Sequence, residues 1–322
     1  MNKREVIKFD NLKSDLRQLQ SFNVKDFVDF ITLLNTEYSK DDLPYIYNFI
    51  LETQDNPDIL LYVIKQIDKV RDERSLDKLI DLLLYKNKSM TATNEQNINE
   101  VRCQAAKVIS KYKNTKSIYP LLYVLNNKNE NYKLRLMCAE ALGNIGDKYA
   151  VMPLIELVSN EEEKSVYVRE SAVKALGMIG DIRAIEPLIS ILESKNGLMD
   201  KFSFLKERIV EVISKFDPYD ERIFKVLKTS LKDDDSPMVR INAIEAISQS
   251  DRSEEAFNLI YNHLFGEQNE EVIEASIIAL YNMKGESYIL ELISNENIPF
   301  IIKESASNIL NDIKEGLFDD SE

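Results

Sequence analysis

The sequence has no tryptophan, one histidine, two cysteines, eight glycines and eight prolines in 322 residues. Each shortage excludes something. The single histidine, His263, cannot supply the several imidazoles of a paired His–Glu metal centre. Cys–His and Ser–His catalysis would both depend on it alone, so it reads as a partly buried residue of a helix. Cys103 and Cys138 fit neither a zinc spacing nor a disulfide framework, which indicates reduced thiols. Scarce glycine and proline disfavour a turn-rich β fold and suit long helices joined by short turns. No apolar run approaches the length needed to span a bilayer, and the opening MNKREVIKFDNLK lacks the apolar centre of a secretory signal. A soluble, cytoplasmic protein without a membrane segment is expected.

Positive charge is short as well. Lysine and arginine total 41 against 55 aspartates and glutamates, a net charge of −14. Such a surface repels phosphate backbones and disfavours nucleic acid, whereas a partner protein with a basic surface is easily accommodated. The hydrophobic share of 44% is enough to fold the chain.

The dominant positive signal is a repeat. Val101-Arg102 opens a pattern that returns at Leu134-Arg135, Val168-Arg169, Leu205-Lys206, Val239-Arg240, Val272-Ile273 and Ile302-Lys303, in steps of 33, 34, 37, 34, 33 and 30 residues. Apolar or small residues fall at i, i+4, i+5, i+7 and i+8, one wide buried face of a helix. A second helix comes after each first one. Gly143-Asn144-Ile145-Gly146-Asp147 leads to Pro153, and Gly177-Met178-Ile179-Gly180-Asp181 leads to Pro187, with Pro120 and Pro44 at similar points. The glycines are expected to end the first helix, and Asp147 and Asp181 to cap the second. Earlier pairs extend from Val24 to Leu51 and from Ile59 to Ile80. The pattern predicts an all-α fold, an α-α superhelix of about eight helix pairs plus a terminal helix. It occupies residues 23–315, behind a capping segment at 1–22 and before an acidic tail at 316–322. The polar stretch 86–100 reads as a mobile loop.

Residues 134–158 and 168–192, LRLMCAEALGNIGDKYAVMPLIELV and VRESAVKALGMIGDIRAIEPLISIL, resemble the HEAT-like repeats named after phycobilisome lyases. The resemblance implies a HEAT-like solenoid. The glycines and the Gly-Asp turn are missing around Lys111 and Phe216, where the resemblance implies irregular turns. Its members include bilin lyase subunits, assembly factors and bacterial scaffolds, so the repeat marks the fold and not the chemistry. No catalytic residue, metal or cofactor is assigned.

The basic column Arg102, Arg135, Arg169, Lys206, Arg240 and Lys303 is broken only by Ile273. It is expected to be an inter-repeat ladder bonding acids or helix-terminal carbonyls of neighbouring repeats. In HEAT-like arrays the second helices line the concave side. Their unburied positions here are Tyr119, Tyr123, Met152, Glu156, Glu186, Ser190 and Glu193. This aromatic and acidic face suggests a protein-binding scaffold or adaptor. The alternative is a bilin lyase subunit or chromophore chaperone acting on phycobiliproteins, with Met152, Glu156 and Glu186 around the pyrroles.

Overall fold

The computed structural model describes residues 24–85, 92–193, 203–216, 220–233, 235–250 and 252–315. The expected cap at 1–22 and tail at 316–322 lie outside them. The chain divides into two compact units, Met1–Ile179 and Gly180–Glu322. Seventeen α-helices form among the described residues: eight successive pairs and a closing helix.

The first unit holds α1 (Val24–Glu37), α2 (Leu43–Thr53), α3 (Pro57–Val70), α4 (Leu76–Leu84), α5 (Ala92–Tyr112), α6 (Ile118–Asn126), α7 (Tyr132–Ile145), α8 (Val151–Ser159) and α9 (Val166–Ile179). Odd-numbered helices are the first members of pairs. Each packs on the next odd helix, α3 on α5 on α7 on α9, and on the even helix before it. The second unit repeats this order with α10 (Ile185–Glu193), α11 (Ser203–Ser214), α12 (Glu221–Asp233), α13 (Pro237–Ser248), α14 (Ser253–Leu264), α15 (Glu270–Lys284), α16 (Glu286–Ser294) and α17 (Phe300–Lys314). Among the described residues no helix is long and apolar enough to cross a membrane.

The packing is dictated by the repeat. A first helix has neighbours on several sides, so its buried face must be wide and locally small. The i+4 column, Ala105, Cys138, Ala172, Ile209, Ala243, Ser276 and Ala306, is fully buried. Leu134, Leu142, Val168, Leu176, Val239 and Ile247 fill the flanks. Burying each such side chain stabilises by about 1.5–3 kcal/mol.

Three expectations change. Residues 92–100 are helical, the N-terminal half of α5, and not loop; residues 86–91 lie outside the described set. Ile98, three residues before Val101, is buried and carries the apolar stripe one turn back. The polar residues around it needed only a solvent face. Next, the two glycines of each turn act differently. Gly143 lies inside α7, where an added Cβ would come 2.9 Å from the Cα of Ala175 on α9. It therefore permits close helix approach. Gly146 ends the helix, with φ 76°. Finally, the turn after Lys111 is regular without glycine. Lys113 takes the left-handed conformation at φ 49°, as Arg71 does at φ 54°.

Candidate interaction surface

Three members of the basic column, Arg102, Arg135 and Arg169, are buried, and Arg102 and Arg135 are bonded in two directions. Each of these three reaches back to the penultimate carbonyl of the preceding second helix: Arg102 Nε to Leu83 O at 2.8 Å, Arg135 Nε to Leu125 O at 2.7 Å, and Arg169 Nη1 to Val158 O. Those carbonyls have no partner within their own helices. Arg102 and Arg135 then reach forward to Glu130 and Glu163, each in the loop before the next first helix. Arg240 pairs with Glu267 in the same way, at 2.8 Å. Both members of the Arg102 and Arg135 pairs are almost fully buried. Burial alone would raise the Glu163 carboxyl. The Arg135 guanidinium, the Ser165 amide and the Arg169 charge outweigh it and hold the carboxyl below its ordinary value. Glu267 is held down likewise by the Asn269 amide and Arg240 against the effect of burial.

The column is not uniform. Arg169 bonds no forward acid among the described residues and instead donates to the carbonyls of Val158, Asn160 and Glu163. Burial pushes its guanidinium pKa down. Lys303 has no ion pair with a described residue, and Lys206 is half-buried. Ile273, where the series breaks, is fully buried.

A second register runs along the other face of the pairs, set by the caps. Asp72, Asn114, Asp147, Asp181 and Asp220 each accept the backbone N–H two residues on, at 2.8–3.0 Å. At two rungs the residue at cap+2 stands on the turn and pairs with cap+5 on the second helix of the pair before. Lys116 pairs with Asp77. Arg222 pairs with Glu186 at 3.3 Å, while also holding the Asp220 carboxyl down to about 2. Arg74 lies 4.8 Å over the ring of Tyr45 and is held by Asp72.

At one rung both polar partners are replaced by aromatics. Cap+2 of the fourth turn is Tyr149 and cap+5 of the pair before is Tyr119. The turn carrying Tyr149 packs against α6, which carries Tyr119. The two side chains are 80% and 78% exposed. Tyr123, one turn along α6, is 59% exposed and Met152 is 49% exposed. Glu156, at cap+9 on α8, is exposed and has no ion pair with a described residue.

The seven partner-face residues expected from the sequence thus divide. Tyr119, Tyr123, Met152 and Glu156 belong to the first unit. Glu186, Ser190 and Glu193 belong to the second. All are exposed, but Glu186 already carries Arg222. Tyr149, as exposed as Tyr119, was not foreseen. Its signal was the recurring Asp-x-Arg of Asp72–Arg74, Asp181–Arg183 and Asp220–Arg222, against which a tyrosine at cap+2 stands out.

Other candidate groups are quieter. Cys138 is fully buried, and burial raises its thiol well above the ordinary range. Cys103 is half-buried and is raised to about 11, again by burial. His263 sits in the last turn of α14, with Nε2 3.6 Å from Glu267, and burial lowers its pKa. Among the described residues no group of three His, Cys, Asp or Glu is placed to hold a metal ion. A depression of about 990 Å³ on the first helices is lined by Asn99, Cys103, Tyr132, Leu136, Met137 and Glu140, among others.

Residues 120–200 match the family model of HEAT repeats. The match covers the clearest tandem pairs and leaves the outer ones to their spacing. No curated protein matches the chain. Among solved structures, the chain is similar to one from the complex of CpcE and CpcF of phycocyanin lyase from Nostoc sp. PCC7120. That chain is 17% identical with a TM-score of 0.42, over 84% of this chain and 94% of that one. It is also similar to human deoxyhypusine hydroxylase in complex with glycerol, at 15% identity and a TM-score of 0.34, over 85% of this chain and 97% of that one.

Proposed function

We propose that this protein is a non-catalytic scaffold or adaptor that binds a partner protein on the face of its second helices. One observation carries the reading: Tyr119 and Tyr149 are exposed at a rung whose counterparts hold the ion pairs Lys116–Asp77 and Arg222–Glu186, with Tyr123 and Met152 exposed on α6 and α8 beside them. A solvated face has no use for four large apolar side chains, whereas tyrosine offers wide contact area and a polar tip at little entropic cost. Pre-ordered helices keep that cost low on the scaffold's side too.

The chromophore reading asked Met152, Glu156 and Glu186 to act together around a pyrrole. Glu186 is engaged by Arg222, so the supporting groups reduce to Met152 and Glu156.

The test is affinity capture of the tagged protein from its native cell, in parallel with the combined Tyr119→Ala, Tyr123→Ala, Tyr149→Ala variant. The changes are on exposed side chains, so the circular dichroism spectrum and Tm should stay unchanged. A specific partner captured by the unaltered chain should be lost by the variant. Retention of the same partners by a folded variant sinks the reading.

A further inference from the structure

We propose that the surface formed by Tyr119, Tyr123 and Tyr149 seats an arginine side chain of the partner protein, with Glu156 as its counter-ion. This deepens the scaffold reading and rests on it.

The first argument is the use the fold makes of the same parts elsewhere. Twice, a ring on a second helix takes an arginine that a carboxylate holds in place. Arg74 lies 4.8 Å over the exposed Tyr45 and is bonded in two places to Asp72. Arg252 lies 4.6 Å over the buried Phe224 and is bonded to Glu221, and a third ring, Phe257, takes Lys284 at 4.9 Å. Ring, guanidinium and carboxylate recur as a set of three.

The second argument is the gap at the tyrosine rung. It has rings, and it has a carboxylate in register, since Tyr123 and Glu156 occupy cap+9 of consecutive second helices. It has no arginine. At cap+2, where Arg74, Arg183 and Arg222 stand in other pairs, the residue is Tyr149. The nearby acids of α4 are not short of cations: Asp77 holds Lys116, and Asp81 lies 3.7 Å from Lys78. Glu156 has no ion pair with a described residue.

The third argument is charge complementarity. A net charge of −14 attracts cationic segments at long range. At short range the rings choose among them. A guanidinium can stack flat on a tyrosine while its edge donates two hydrogen bonds to a carboxylate, and an ammonium cannot do both.

The experiment uses the full chain labelled with 3-fluorotyrosine, each resonance assigned by single Tyr→Phe substitution. The probe is a blocked pentapeptide of alternating glycine and arginine, compared with its lysine and citrulline counterparts at constant ionic strength. The proposal expects the resonances of Tyr119, Tyr123 and Tyr149 to move with the arginine peptide. The lysine peptide should need roughly fivefold more for the same shift, the citrulline peptide should be silent, and Glu156→Gln should weaken the arginine response roughly fivefold. Absent shifts, equal response to citrulline, or shifts centred on other tyrosines overturn it. The two readings fail separately. If the triple variant loses its cellular partner while the peptides leave the tyrosines unmoved, the arginine seat is wrong and the scaffold stands. If the variant keeps its partners, the scaffold reading is wrong whatever the peptides do.

Discussion

At the scale of single residues, Arg135 and Glu163 show why a charged pair can sit in the middle of an apolar array. The guanidinium closes a carbonyl that α6 leaves open, and the carboxylate both neutralises it and accepts the Ser165 amide. Removing one partner leaves a buried charge uncompensated, which costs about 3–5 kcal/mol. Glu163→Gln should therefore lower unfolding free energy by about 3 kcal/mol or more. Glu162→Gln, which removes only the exposed pair with Lys128, should leave the unfolding free energy nearly unchanged. Denaturant melts of the two variants make the comparison. The pH dependence has a definite sign. Because the folded chain holds Glu163 and Glu267 below their ordinary values, their contribution is complete above the unfolded carboxylate value of about 4.3 and is lost as pH falls through the folded values. Acid melts should steepen below about pH 4, and Glu163→Gln should flatten that limb. The column of arginines was legible in the sequence, since it recurs at steps of 33 and 34 residues from Arg102 to Arg169 beside the apolar stripe. Glu130, Glu163 and Glu267 follow their arginines by 28, 28 and 27 residues, so they were periodic too; they were missed because they stand in loops, outside the apolar stripe by which the helices were read.

At the scale of elements, the corner between the helices of a pair is fixed by conformation more than by composition. The same corner is made by Gly146, by Lys113 and by Arg71, all with positive φ, and each is followed by an Asp or Asn cap. A side chain there costs roughly 1 kcal/mol that glycine avoids. Lys113→Gly should accordingly raise stability by about 1 kcal/mol. Gly146→Ala, whose Cβ would meet only the Gly143 carbonyl at 4.0 Å, should lower it by a similar amount. Thermal melts in opposite directions check the pair. Glycine in the sequence located two corners well, at Gly146 and Gly180. Its absence near Lys111 wrongly implied irregularity, because a cap and a left-handed lysine build the same turn. The start of α5 was missed for a related reason: one buried residue, Ile98, was enough to extend a helix whose other positions are polar. The exposed positions of the second helices were half legible. Counting from the prolines located Tyr119, Tyr123, Met152 and Glu156. Tyr149 escaped because it stands on the turn before the helix, and only the cap register brings it into line.

At the scale of the whole chain, stability is expected to be local. Each pair is buried by the pairs beside it, so an array of this kind behaves as a row of units with nearest-neighbour coupling. A lost rung should loosen its own neighbourhood without dissolving distant pairs. Hydrogen exchange read by mass spectrometry on Glu163→Gln is the most direct measurement of that claim. The account predicts faster exchange across α6 to α9, with α2 to α4 and α13 to α17 protected as in the unaltered chain. A uniform loss of protection from α1 to α17 would show a single cooperative core and contradict it.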